Sequence, residues 1–238
     1  MDLAYDFVRD VVFVPVRYGL QWSFEGAHRI PPRGPMILAS NHISYLDPFT
    51  LAFVADRRHR RVRYLAKAEL FAKPGLGALL RGMGQIPVAR ASAAAADSLD
   101  SATDALGRGE CVAVFPEGTI SPDLEPMTGH SGTARLAAAT GVPVFPVGLW
   151  GTHRILAKGR TPRWRTGVAQ VAVVGAPIRI GADEAVESGT RRVMAAIAAA
   201  VARAREIYPQ APSGGEDPWW VREPASAFAH VTPGVGPA

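Results

Sequence analysis

The chain has 238 residues, 48% of them hydrophobic and 20% charged, which is enough for one substantial core and too apolar for a disordered polypeptide. Its single cysteine rules out an internal disulfide framework, and its six histidines show no H-x-x-x-H pairing, so no metal site is expected. The net charge of +5 is carried almost wholly by arginine, which suits an anionic partner and equally suits an Arg-rich codon usage.

The start, Met1-Asp2-Leu3-Ala4-Tyr5-Asp6, has no basic leader, and no apolar run reaches the ~18 residues of a spanning helix. A location in the cytosol or on the inner face of a membrane is expected. Residues 3–20 put Leu3, Phe7, Val8, Val11, Val14 and Tyr18 near one helical face. Pro15 should limit or kink that helix. The face suits either a membrane interface or packing on the domain. Trp22 to Gly26 alternates like an edge strand, and Ile30 to Pro35 reads as a loop.

Pro35 to Ser40 is a short apolar run, the pattern of a buried strand, and the stretch from Pro48 to Val54 reads as a helix. Between them stands Asn41-His42-Ile43-Ser44-Tyr45-Leu46-Asp47. This puts His42 where a strand runs out and Asp47 at an expected helix N-cap. A polar turn at the carboxyl end of a strand is where open α/β sheets usually place their chemistry. A neutral imidazole can take a proton from a hydroxyl, and a carboxylate on its other nitrogen fixes the tautomer. An N-capping Asp beside a turn histidine would look the same in sequence.

Arg57 to Arg63 holds five arginines in seven residues, a solvated surface or a headgroup contact. No aromatic platform accompanies it, so nucleic acid is not an expected partner. Val62 to Ala66 should be a strand, followed by a helix over 69–80 broken at Pro74-Gly75. Ile86-Pro87-Val88 is a short extended edge, and Arg90 beyond it suits a bidentate phosphate contact or a plain surface position. An Ala-rich helix over 91–106 should end at Gly107 and Gly109.

Val112 to Phe115 reads as a parallel strand, with Cys111 a buried hydrophobe beside it. The turn Pro116-Glu117-Gly118-Thr119 follows. Gly118 lets backbone approach a ligand, its N–H and the Thr119 hydroxyl suit phosphate oxygens, and Glu117 suits a substrate hydroxyl or an arginine. Gly129-His130-Ser131-Gly132-Thr133 is a poor nucleophile elbow, since its last residue is threonine and no strand precedes it.

Residues 132–140 should be helical, and Val142 to Gly148 a strand with prolines at its ends or on a sheet edge. A basic loop holds Lys158, Arg160, Arg163, Trp164 and Arg165. Strands over 170–175 and 177–180 and a long helix over 184–208 complete the domain. The Pro/Gly-rich tail from 209 carries Trp219 and Trp220, which suit docking on the core or on lipid. The expected division is an amphipathic segment over 1–30, an α/β domain over 31–208 and a tail over 209–238.

Four ordered blocks resemble the glycerolipid acyltransferases, of which the lysophosphatidic acid acyltransferases are best known. They are Asn41-His42-x-Ser44-x-x-Asp47, Gly84-x-Ile86-Pro87-Val88-x-Arg90, Phe115-Pro116-Glu117-Gly118-Thr119 and Val142-Pro143-x-x-Pro146-Val147. The resemblance implies a single α/β acyltransferase domain with a mixed, largely parallel sheet flanked by helices and an N-terminal amphipathic helix. It implies His42 as general base, Asp47 orienting it, and direct attack of an acceptor hydroxyl on a thioester. Asn41, Ser44, Arg90, Glu117, Gly118 and Thr119 would bind substrate.

The co-substrate would be acyl-CoA or acyl carrier protein, with no further cofactor. The acceptor would be a lysophospholipid such as 1-acylglycerol-3-phosphate, met at an anionic membrane surface. One residue departs from the pattern: Ile120 stands where the family's third block carries an arginine for the acceptor phosphate. Arg90, Arg135 or Arg154 would then compensate, or the acceptor would be a glycolipid or another lysophospholipid. A non-catalytic lipid- or nucleic-acid-binding role for the arginine clusters is the remaining reading.

Overall fold

The computed structural model describes residues 3–88, 94–212 and 218–221. In chain order the strands are β1 (Gln21–Glu25), β2 (Met36–Ser40), β3 (Val62–Lys67), β4 (Ile86–Val88), β5 (Cys111–Val114), β6 (Val144–Trp150) and β7 (Ala169–Val174). The helices are α1 (Leu3–Phe7), α2 (Val14–Gly19), α3 (Asp47–Asp56), α4 (Ala68–Phe71), α5 (Leu76–Gly82), α6 (Ala94–Gly107), α7 (Gly132–Thr140), α8 (His153–Leu156) and α9 (Val186–Glu206). A π-helical turn, Val8–Val12, joins α1 to α2, and Pro15 falls in the first turn of α2.

The strands form one seven-stranded sheet in the order β1-β7-β6-β2-β5-β3-β4. β2 lies at its centre, parallel to β5 and β6, and every residue of it is buried. β7 runs antiparallel to β6, and β1 runs parallel to β7. This is the expected mixed, largely parallel sheet. Burial on both faces explains why β2, β5 and β6 read as continuous apolar runs. Ile37 and Ala39 point to the layer built by α6, α7 and α9, while Met36 and Leu38 point to the layer that includes Leu51 and Val54 of α3. Gly148 lets α9 cross directly over β6, because a Cβ there would stand 2.2 Å from the Ala200 carbonyl carbon.

Several local expectations need correction. β6 is an interior strand although it contains Pro146. The Val144 N–H points to the β7 side and bonds Ile178 O at 2.8 Å. Pro146, two residues on, faces the same side where the chain bends between Val174 and Ile178, so its missing N–H costs no ladder bond. The expected strand over 177–180 reduces to a single bridge, Val144 with Ile178. β1, by contrast, takes the edge of the sheet, as the alternation from Trp22 to Gly26 predicts.

The arginine run is largely internal wiring. Arg60 is buried and donates to the carbonyls of Pro31, Gly34 and Gly109. Arg58 donates to Ile30 O, Arg61 pairs with Asp6, and Arg63 with Glu110. Trp220 docks on the core, 2% exposed, with the Arg154 guanidinium 3.8 Å from its ring centre.

Candidate active site

β2 delivers the chain to the carboxyl edge of the sheet, and Asn41 to Leu46 turn it into α3. Asp47 is not an N-cap. It is the first residue of α3, and its buried carboxylate reaches back into the turn. Oδ2 meets His42 Nδ1 at 2.9 Å and accepts the N–H groups of Ile43 and Ser44 at 2.6 and 2.7 Å. Oδ1 accepts the Thr152 hydroxyl at 2.6 Å. Four donors therefore converge on one carboxylate. A carboxylate in that position has no hydrogen to give, so Nδ1 of His42 carries the ring proton and Nε2 keeps its lone pair. Nε2 meets no hydrogen-bond partner among the described residues, and the His42 side chain keeps 18% of its surface open.

The ring is also fixed from the side and from below. Phe115, at the end of β5, stacks on it with centroids 4.3 Å apart. The His42 N–H donates to Glu117 Oε1 at 2.9 Å, and its carbonyl accepts the Ser121 N–H at 2.7 Å. Gly118, at φ 68°, supplies the left-handed residue that this turn requires.

Glu117 thus turns inward, with both oxygens on backbone N–H groups and, among the described residues, no arginine beside it. It is 3% exposed, and its second oxygen accepts the Met127 N–H at 3.0 Å. Burial raises its pKa, while the two N–H bonds work against that rise. Asn41 and Ser44 are also fully inside. Asn41 Nδ2 donates to Leu149 O at 3.1 Å and its Oδ1 accepts the Leu149 N–H at 2.8 Å, locking β2 to β6. Ser44 donates to Leu156 O at 2.8 Å and caps Leu46 N–H at 3.0 Å. These three residues hold the loop rather than face the opening. Thr119 does face outward, and Arg90 lies outside the described residues. Ser131 is followed by α7 with no strand before it, so the strand–turn–helix of a nucleophile elbow is missing.

With this geometry the relatives can be read. The Acyltransferase family model matches residues 21–150, more than half of the chain. The chain belongs to the acyltransferase family.

It is similar to the chloroplast 1-acyl-sn-glycerol-3-phosphate acyltransferase of Brassica napus, with 32% identity over 58% of this chain and 39% of that protein. Its counterpart in Borreliella burgdorferi is 29% identical over 59% of this chain and 55% of that protein. The chain therefore matches only about two fifths to just over half the length of these relatives. Among solved structures, the 1-acyl-sn-glycerophosphate acyltransferase of Thermotoga maritima superposes with a TM-score of 0.65 at 25% identity, covering 89% of this chain and 96% of that one.

Two polar contacts around these turns escape a reading of the local sequence. Thr152, 105 positions from Asp47, completes the carboxylate's donor set from the end of β6. Lys158 donates to the Thr119 hydroxyl at 3.3 Å. Neither stands in a motif, and only the sheet order brings them to the same edge. Ile120 packs inward at 5% exposure, so the turn from Glu117 to Ser121 presents no cation of its own. Arg154, one of the expected substitutes, donates to Tyr208 and Gln210 and lies over Trp220.

Proposed function

We propose that this acyltransferase moves a fatty acyl group from acyl-CoA or acyl carrier protein to the hydroxyl of a lysophospholipid such as 1-acylglycerol-3-phosphate, in phospholipid biosynthesis. The observation that carries this reading is the His42–Asp47 pair, with Nε2 open and Nδ1 on the carboxylate. As the acceptor oxygen attacks the thioester carbonyl, Nε2 takes its proton and Asp47 steadies the imidazolium. The tetrahedral centre then breaks its C–S bond, and the imidazolium returns the proton to the leaving thiolate. The thioester supplies its own activation, and no acyl-enzyme forms.

The names of the relatives support the glycerol-phosphate acceptor. Ile120 keeps a second reading in play, the same transfer to a glycolipid or a different lysophospholipid. Thiol release from acyl-CoA with a panel of acceptors tests both. Fastest release with 1-acylglycerol-3-phosphate is expected, and a preference for an acceptor without the phosphate would favour the second reading.

The enzyme works attached to the cytoplasmic face of a membrane, on this reading. Leu3, Phe7, Val11, Val14 and Tyr18 are all exposed along the N-terminal helices, an apolar strip suited to the lipid interface. The basic loop adjoins it, for the Gly167 N–H donates to Gly19 O at 2.7 Å and Trp164 is exposed. Co-sedimentation with phosphatidylglycerol vesicles should fall when Leu3 and Phe7 become serine. Unchanged sedimentation would contradict the attachment.

A further inference from the structure

We propose that Lys158 receives the phosphate of the acceptor, an assignment that rests on the function proposed above. A monoester phosphate beside the catalytic histidine needs a cation, and the turn from Phe115 to Ser121 offers none. Lys158 is exposed, and among the described residues its hydrogen-bond partner is a neutral hydroxyl, Thr119 Oγ1, at 3.3 Å. No carboxylate of the described residues lies within salt-bridge distance of it.

Its place is fixed relative to His42 from two sides. Thr119 stands between Glu117, which holds the His42 N–H, and Ser121, which holds the His42 carbonyl. Two residues before Lys158, the Leu156 carbonyl accepts the Tyr45 N–H at 3.2 Å and the Ser44 hydroxyl at 2.8 Å. A cleft of about 110 Å³ adjoins Lys158, lined also by Ile43, Ser121, Asp123, Arg160 and Trp219; the Asp123 carboxylate there is engaged by the Ser121 hydroxyl and the Glu125 N–H. Arg160, the other cation of the cleft, lies 3.8 Å over the Trp219 ring. Lys158 and the Thr119 hydroxyl together present a point charge and a donor, the pair a phosphate monoester takes.

The donor also carries phosphates, on its CoA or pantetheine arm, so the test separates the two sources. Purified full-length protein, Lys158→Met and Lys158→Arg are assayed by thiol release. The acceptors are 1-hexanoylglycerol-3-phosphate and phosphate-free 1-hexanoylglycerol, each with acyl-CoA varied in turn. Lys158→Met should raise the KM for the phosphate acceptor about tenfold. It should leave kcat, the acyl-CoA KM and turnover of the phosphate-free acceptor unchanged, and Lys158→Arg should recover most of the loss. An unchanged acceptor KM overturns the assignment, as does a rise confined to the acyl-CoA KM.

Calorimetric binding of 1-hexanoylglycerol-3-phosphate reads the same contact without turnover. Weaker binding by Lys158→Met with an unaltered melting curve supports the assignment, and equal binding overturns it. Lost transfer to every acceptor in the unmutated protein, with the binding difference intact, would instead remove the proposed reaction.

Discussion

Glu117 accepts the backbone N–H of His42 at 2.9 Å, a bond between residues 75 positions apart that ties the turn after β5 to the turn after β2. The histidine is thus held through its main chain as well as through its ring. Glu117→Gln keeps the shape but turns one acceptor into a donor facing an N–H group, His42's or Met127's. We expect a loss of about 2 kcal/mol in urea denaturation, since a buried N–H loses its partner. We also expect up to about 100-fold lower kcat from the displaced ring. Unchanged kinetics would show that the two turns hold register without this bond.

Arg60 looks in sequence like one more member of a surface charge run. Its guanidinium instead bridges the Pro31, Gly34 and Gly109 carbonyls. Arg60→Met should cost about 3 kcal/mol of stability, read as a lower urea midpoint. Binding to anionic vesicles should stay the same. Weakened vesicle binding at full stability would return the run to a headgroup role.

His153 is fully buried between Trp150 and Trp219, and burial, with Arg154 and Arg205 adding, lowers its pKa to about 3. The unfolded chain takes up the proton near pH 6.5 and the folded chain does not, so the neutral ring's contribution is complete above that pH and is lost as pH falls toward 3. Between pH 7 and pH 5 this one residue should remove about 2 kcal/mol of unfolding free energy. His153→Leu should flatten that part of the pH profile. An identical slope in wild type and variant would assign the acid sensitivity elsewhere.

Much of this fold is visible in the chain because the interior strands of a parallel sheet are apolar on both faces. Met36 to Ser40 and Cys111 to Val114 stand out as short runs followed by polar turns, and the turns carry the site. Pro146 misleads because a proline's cost depends on which side its nitrogen faces, and that is set by the bend after β7. Asp47 misleads more instructively. A capping position and a histidine-orienting position have the same sequence, and only the Thr152 hydroxyl and the two N–H groups at Oδ2 tell them apart. Glu117, Asn41 and Ser44 are legible as belonging to the site. Their inward direction is not, since it depends on partners more than 70 residues away.

His42→Ala is the most direct test of the central claim, that an imidazole oriented by Asp47 takes the acceptor proton. Thiol release from acyl-CoA with saturating 1-acylglycerol-3-phosphate should fall by about 100-fold or more. The melting temperature should stay near that of the parent, because the ring lies at the rim of the core and Asp47 keeps three other donors without it. Release at the parent rate from a folded His42→Ala protein would contradict the account.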